Sequence, residues 1–334
     1  MRWTRHIFQF AVSTALIAFA PLPGLAQSCQ TGGDMDDALK TTISSAAQRY
    51  FDMAAKGDTA ALRQNSVPSL AASFAGVESA VNGRQAELAG AQAAVKSVFE
   101  LETEAATSPG QAEFFCGVFG KNGQTQNSAI FNLNVPAGKY AVVIMDAASP
   151  KGRTSFSPVL ELQGADWKLG GLYIKASEVA GHDSAWFIAQ ARAYKSKGQT
   201  HNAWFYYLEG RGLLSPLPFM STQATDKLYD EFQNSRPADL PADGKPANLT
   251  AGTANYKLTE LFPDAVGNDL DLIVKYQSPD ASNSNQAYQS NVAVIKALVT
   301  KYPELRDAFA AVVARAVDPS NRDYGTLLAM KDIK

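Results

Sequence analysis

The spacing of apolar residues changes period several times along this chain, and each change marks an element. Leu39, Ile43, Ala47, Tyr50, Phe51 and Ala54 recur at three- and four-residue steps, which predicts a helix with one apolar face. Gly57 suits the left-handed stop of that helix, and Asp58 suits the cap of the next, Thr59 to about Asn65. Leu70, Phe74, Val77 and Val81 repeat the helical step up to Asn82-Gly83. From Val95 the period falls to two: Ser97, Phe99 and Leu101 alternate with Glu100 and Glu102, predicting a strand with one polar face. Further strands are expected over 112–119, 128–135, 139–147, 157–163 and 166–174, separated by Gly- and Pro-bearing turns such as Lys121-Asn122-Gly123 and Pro136-Ala137-Gly138. Connections this short imply an antiparallel meander.

After His182 the helical period returns. Gly198 reads as the turn between two helices, and a third helix spans about 222–234. Residues 235–254 carry Pro237, Pro241, Gly244 and Pro246 among Ala, Asp and Asn, the composition of an extended, solvated linker. Within them, Asn248-Leu249-Thr250 is formally a glycosylation triplet of a kind common by chance. The last unit, 255–334, begins with a strand over 269–276, continues with helices over about 285–301 and 303–317, and ends in a strand over 324–330. A β-α-α-β order predicts a small α+β layer. The fold class is therefore α+β throughout: a helical and sheet unit over 36–178, a helical segment over 182–234, the linker, and the C-terminal unit.

The first 26 residues stand apart. Arg2 and Arg5 precede the uncharged run Ile7–Ala20, Pro21 and Pro23 follow, and Gly24-Leu25-Ala26 offers a small-x-small cleavage site. The run is shorter than the roughly 20 residues that a membrane span needs, and no later segment reaches that length. This predicts a signal peptide over 1–26 and an exported, periplasmic or extracellular protein of bacterial type. The 334-residue chain has a formal charge of −2, and losing Arg2 and Arg5 makes it slightly more acidic, so no electrostatic reason to bind nucleic acid arises. Both cysteines, Cys29 and Cys116, lie beyond the cleavage site. They form a disulfide, remain as buried free thiols, or leave Cys29 as a lipidated terminus. The last reading is disfavoured by Ala26-Gln27-Ser28, which lacks the usual leucine three residues before the cysteine.

Two resemblances follow from these patterns. The opening helix ends Ala55-Lys56-Gly57-Asp58-Thr59-Ala60-Ala61-Leu62, and a late strand carries Trp167-Lys168-Leu169. With helices preceding a curved antiparallel sheet, residues 36–178 resemble the cone fold named after nuclear transport factor 2. That superfamily includes small-molecule isomerases and dehydratases as well as modules that only bind or dimerise, so the resemblance implies a cone without choosing an activity. Ala191, Tyr194, Ala203 and Tyr207 fall where a tetratricopeptide repeat places small and aromatic residues, with Gly210 where alanine is usual and Pro216 one residue late. Residues 183–216 thus resemble one such repeat. A lone hairpin of this kind packs on a neighbouring unit rather than forming a solenoid.

Candidate chemistry is sparse. Beyond the signal only His182 and His201 remain, both expected at exposed helix termini, and no metal-ligand spacing, nucleophile elbow, phosphate loop or dinucleotide fingerprint is present. No catalytic residue, metal or cofactor is assigned. Asp269 and Asp271 share one strand face, expected to be solvated. Asp146 and Glu161 lie on predicted strands of the cone, where one could serve as a buried base in an apolar pocket walled by Phe131, Val143 and Trp167, as in related isomerases, dehydratases or hydrolase-like enzymes. Seven aromatics crowd into 186–207, and Trp186, Trp204 and Tyr207 are candidates for a protein-partner surface, against the plainer expectation that they pack between units. The favoured expectation is a non-catalytic binding or envelope-assembly module. The alternative is a small-molecule-binding protein or enzyme that uses the cone.

Overall fold

In a computed structural model, residues 27–104, 113–242 and 244–334 are described. The expected export signal lies outside them. The N-terminal unit begins with strand β1 (Gln27–Thr31) and helices α1 (Asp37–Ala55), α2 (Thr59–Gln64), α3 (Pro68–Ala72), α4 (Ala75–Gly83) and α5 (Gln85–Leu88). The strands β2 (Gln92–Thr103), β3 (Glu113–Gly120), β4 (Gly123–Asn132), β5 (Gly138–Ser149), β6 (Gly152–Gln163) and β7 (Asp166–Ala176) follow. Asp36 caps α1 and Asp58 caps α2 through side-chain oxygens, satisfying N–H groups that a helix start leaves unpaired.

The strands do not form one meander. A five-stranded antiparallel sheet runs β1-β2-β5-β6-β7, so β2 pairs with β5 and the intervening β3–β4 hairpin leaves the sheet. It forms a second, three-stranded sheet with a later strand, β10 (Met220–Thr222). Apolar burial explains the departure. One face of the large sheet presents Ala141, Val143, Met145, Leu160, Trp167 and Leu169 to α1 and α4. The other presents Phe99, Tyr140, Val142 and Val159 to Phe114 and Phe131 of the small sheet. Each face needs its own cover, and β3–β4 supplies the second. Strand β1 has no strong sequence signal, yet it pairs with β2 from Gln27↔Thr103 to Thr31↔Phe99. Cys29 on β1 and Cys116 on β3 form a disulfide with Cα atoms 4.9 Å apart, which ties the two sheets together. The bond leaves no Cys29 sulfur for a lipid.

Two short strands, β8 (Glu178–Val179) and β9 (His182–Asp183), lead into helices α6 (Ser184–Ser196) and α7 (Thr200–Leu214). These form an antiparallel hairpin turned at Gly198. Gly210 is needed for their close approach: a Cβ there would sit 2.9 Å from Ile188 Cγ1 and 3.3 Å from Phe187 Cβ. Helix α8 (Gln223–Gln233) then packs on α7.

The expected linker is not one. Its second half contains strand β11 (Ala247–Ala251), and Leu240 and Leu249 are buried in the C-terminal core. Strands β12 (Ala254–Val266), β13 (Asp269–Gln277), β14 (Ala311–Val317) and β15 (Asp323–Ala329) complete a sheet in the order β11-β12-β13-β14-β15. Helix α9 (Ser284–Lys301) and a 3-10 turn (Pro303–Asp307) provide the crossover that the parallel β13–β14 pair requires. The helix expected over 303–317 is thus a turn followed by a strand. Val312, Ala314 and Ala316 face the core while Val313, Arg315 and Val317 face outward, and that two-residue alternation with β-branched residues overrides the helical reading.

The disulfide closes a loop with a sequence separation of 87 residues. A Cys29→Ala/Cys116→Ala variant should lose about 2–4 kcal/mol of unfolding free energy in urea titrations against the oxidised protein. A loss below about 1 kcal/mol would show that sheet packing alone holds β1 against β3.

Candidate functional site

The structure separates the residues expected around a cone pocket. Val143 and Trp167 are buried on the helix side of the large sheet, whereas Phe131 is buried on the other side, so the three cannot wall one cavity. Asp146 and Glu161 share a face but not a place. Asp146 lies opposite Ser155 and Glu161 opposite Tyr140, six positions along β5, hence about 20 Å apart. Glu161 accepts a hydrogen bond from Gln163 Nε2 at 3.1 Å, and the Trp167 carbonyl lies 3.0 Å from the Tyr50 hydroxyl. The interior between the two sheets is filled by Phe99, Phe114, Phe131, Tyr140 and Leu217.

The aromatic hairpin is similarly consumed by packing. Trp204 stacks on Phe232 of α8 at 4.6 Å, and the buried Tyr207 donates to Glu231 Oε1 at 2.6 Å. Trp186 is partly buried with its ring stacked on His182 at 3.6 Å. Helix α8 covers the surface that Trp204 and Tyr207 could have offered a partner.

His201 is not an exposed helix-end residue. Its side chain is 13% exposed, with Nδ1 2.7 Å from Glu304 Oε1 and Nε2 3.0 Å from Asp239 Oδ1. Each ring nitrogen thus faces a carboxylate. Asn202 donates to the Glu304 carbonyl at 2.6 Å and Tyr206 to the Ala308 carbonyl at 2.7 Å, so this cluster clamps α7 to the crossover turn. Asp271, expected on a solvated face, is 2% exposed, and burial pushes its carboxyl above the usual range.

What the fold does assemble is a groove of about 610 Å³ between the large sheet and the helices. Its sheet wall carries Lys96, Asp146, Arg153 and Ser177, and its helical wall carries Ile188, Arg192, Leu213, Leu214, Lys227, Leu228 and Glu231. A β-bulge sets the first of these: Val95 pairs with Met145 and Ser97 with Ile144, leaving Lys96 as the extra residue. Its ammonium lies 3.9 Å from Asp146, which is also bound by Arg153. Arg153 reaches Glu178 as well, at 3.4 Å. Across the groove Arg192 grips Glu231 with two hydrogen bonds of 2.9 and 2.7 Å. That grip, helped by the Tyr207 hydroxyl against some opposing desolvation, holds the Glu231 carboxyl down at about 2. Lys227 bonds only to Gln223 Oε1, at 3.0 Å, and has no carboxylate partner among the described residues. The Ser177 hydroxyl is buried without a hydrogen-bond partner among the described residues.

Of the residues singled out from sequence, only Asp146 lines this groove. Arg192 and Glu231 are separated by 39 positions and Lys96 by 57 from Arg153, so no local motif could have joined them. The two-residue alternation read from Val95 onward gives no sign of the bulge at Lys96, which shows only in the pairing with β5. Among the described residues, no group of three or more His, Cys, Asp or Glu side chains could hold a metal ion, and no helix is long and apolar enough to cross a membrane. No family model, curated protein or solved structure matches this chain.

Helix α7 also carries a half-buried carboxyl, that of Glu209. Burial pushes Glu209 of α7 up from 4.5 to about 7, with Asp264 adding to the shift and Lys175 opposing it. Lys175 itself caps the end of α7, donating at 2.8 Å to each of the Gly212 and Ser215 carbonyls. Between 4.5 and about 7 the folded chain keeps a proton at Glu209 that the unfolded chain has lost, so this group lowers stability as pH rises through that window. A Glu209→Gln variant should flatten that decline and be more stable than the parent by about 1 kcal/mol near pH ~8, discounting for partial exposure. Thermal unfolding across about pH 5–8 checks both.

Proposed function

We propose that this chain is an exported, non-catalytic binding protein whose ligand sits in the groove between the large sheet and helices α6 and α8. The carrying observation is one cavity of about 610 Å³ in which Ile188, Leu213, Leu214 and Leu228 form an apolar strip among charged residues that are mostly paired with one another. Small-molecule sites have this size, and the apolar strip would hold an apolar ligand while the paired charges stand at its margin. The carboxylates in it serve fixed partners: Asp146 is held by Arg153 and Glu231 by Arg192, while Asp183 caps α6 by accepting from the Trp186 N–H. A carboxylate so neutralised is a poor general base. Export is supported by the charged, apolar and small-residue pattern of residues 1–26 and by the Cys29–Cys116 disulfide, which fits an oxidising compartment.

The test is a titration of the exported chain with the neutral apolar dye 1-N-phenylnaphthylamine. Saturable binding at one site is expected. Leu214→Arg, a change at a partly exposed groove position, should weaken it at least tenfold with thermal unfolding within about 2 °C of the parent. Absence of saturable binding, or equal binding by the variant, would remove the groove as the ligand site.

A further inference from the structure

The C-terminal sheet ends in β11, and the geometry of that edge has a specific complement. A two-residue loop, Gly252-Thr253, joins Ala251 to its partner Ala254, with Gly252 at φ +60°. In such a hairpin the flanking pair exchanges both hydrogen bonds, and the exchange recurs at every second pair. Ala251, Leu249 and Ala247 therefore bond to β12, while Asn248 and Thr250 turn their backbone N–H and C=O groups the other way. Among the described residues, no backbone hydrogen bond outside the β11–β12 ladder involves either residue.

Those groups border a groove of about 670 Å³ whose opposite wall is α9. Ala293 and Ala297 keep that wall low, and Lys296 and Lys301 stand on it, exposed. Neither lysine has a carboxylate partner among the described residues, and the Lys301 ammonium rests over the Tyr302 ring at 4.8 Å. Protein edges are ordinarily blunted by lysine, proline or a bulge on the strand itself. β11 has none of these, and its pairing with β12 is unbroken. Leu249, buried at 1% exposure, pins the strand to the core and so fixes the open edge in place.

We propose that this groove takes an extended, acidic segment of a protein partner, which adds to β11 as a sixth strand. The unpaired groups of Asn248 and Thr250 supply main-chain hydrogen bonds, and Lys296 and Lys301 select acidic side chains. This surface is separate from the groove at the N-terminal sheet, and neither site depends on the other.

Fluorescence anisotropy of the full chain with labelled seven-residue peptides tests it. A peptide alternating glutamate and valine should bind saturably, and more weakly as salt rises from about 50 to 300 mM. A lysine–valine peptide, and the acidic peptide N-methylated at alternate amides, should each bind at least tenfold more weakly. Lys296→Glu/Lys301→Glu should cost the acidic peptide at least tenfold with unchanged thermal unfolding, because both side chains are solvent-exposed. Equal binding of the lysine peptide, or of the acidic peptide to the double variant, would overturn the charge selection. Equal binding of the N-methylated peptide would overturn strand addition. No binding, or a dimer through β11 in sedimentation without peptide, would overturn the proposal as a whole.

Discussion

Helix α7 has no solvent side over Asn202–Tyr207, six consecutive buried residues. A helix that is apolar all round must be enclosed, and the rest of the molecule is arranged as its enclosure. Helix α6 covers one flank at Gly210, α8 covers Trp204 and Tyr207, and the crossover turn of the C-terminal unit covers Tyr206 through Phe309. Enclosure carries a polar cost, because Asn202, Tyr206 and Tyr207 bring groups that cannot be left unpaired. The partners that offset it come from elements far away in sequence: the Glu304 and Ala308 carbonyls and the Glu231 carboxylate. The hairpin is therefore a shared core for its neighbours, as the isolated repeat pattern requires.

The site chemistry follows from that arrangement. Because α8 is drawn onto α7, its outer positions Lys227 and Glu231 come to face the large sheet, and the gap between them becomes the groove. The face of the sheet away from the helices is closed by a second sheet instead of a ligand, with Phe114 and Phe131 packed against it. A helices-then-sheet order is compatible with either outcome. The deciding factor is the β3–β4 hairpin, whose large apolar residues fold back over the sheet that an open cone would leave exposed.

Local pattern made most elements legible. The capped helices α1 and α2, the strands β5 to β7, the α6–α7 hairpin and α9 all follow from periodicity and turn residues lying within a few positions of one another. Failures occurred where a distant contact decided. β1 is a polar five-residue strand that exists because β2 offers an edge and Cys116 a bond. β11 sits among prolines and glycines, and only Leu249 reports its burial. Ala311–Val317 mixes helix-favouring alanine with strand-favouring valine, and the parallel partner β13 tips it. The groove is the least legible feature, since it joins side chains from seven elements and depends on a bulge that shifts Lys96 by one place. Asp146 and Glu161 lie on strands, as their alternation predicts, yet their neighbours, not their spacing, set their roles.

The disulfide also orders events in time. Synthesis delivers Cys29 first, and its partner follows 87 residues later, a delay of roughly 4–17 s at ordinary rates of synthesis. β1 has no strand to pair with until β2 is made, and Cys29 has no bonding partner until Cys116 follows 13 residues after the end of β2. β1, made before any of its partners, is therefore secured only after β2 and β3 exist.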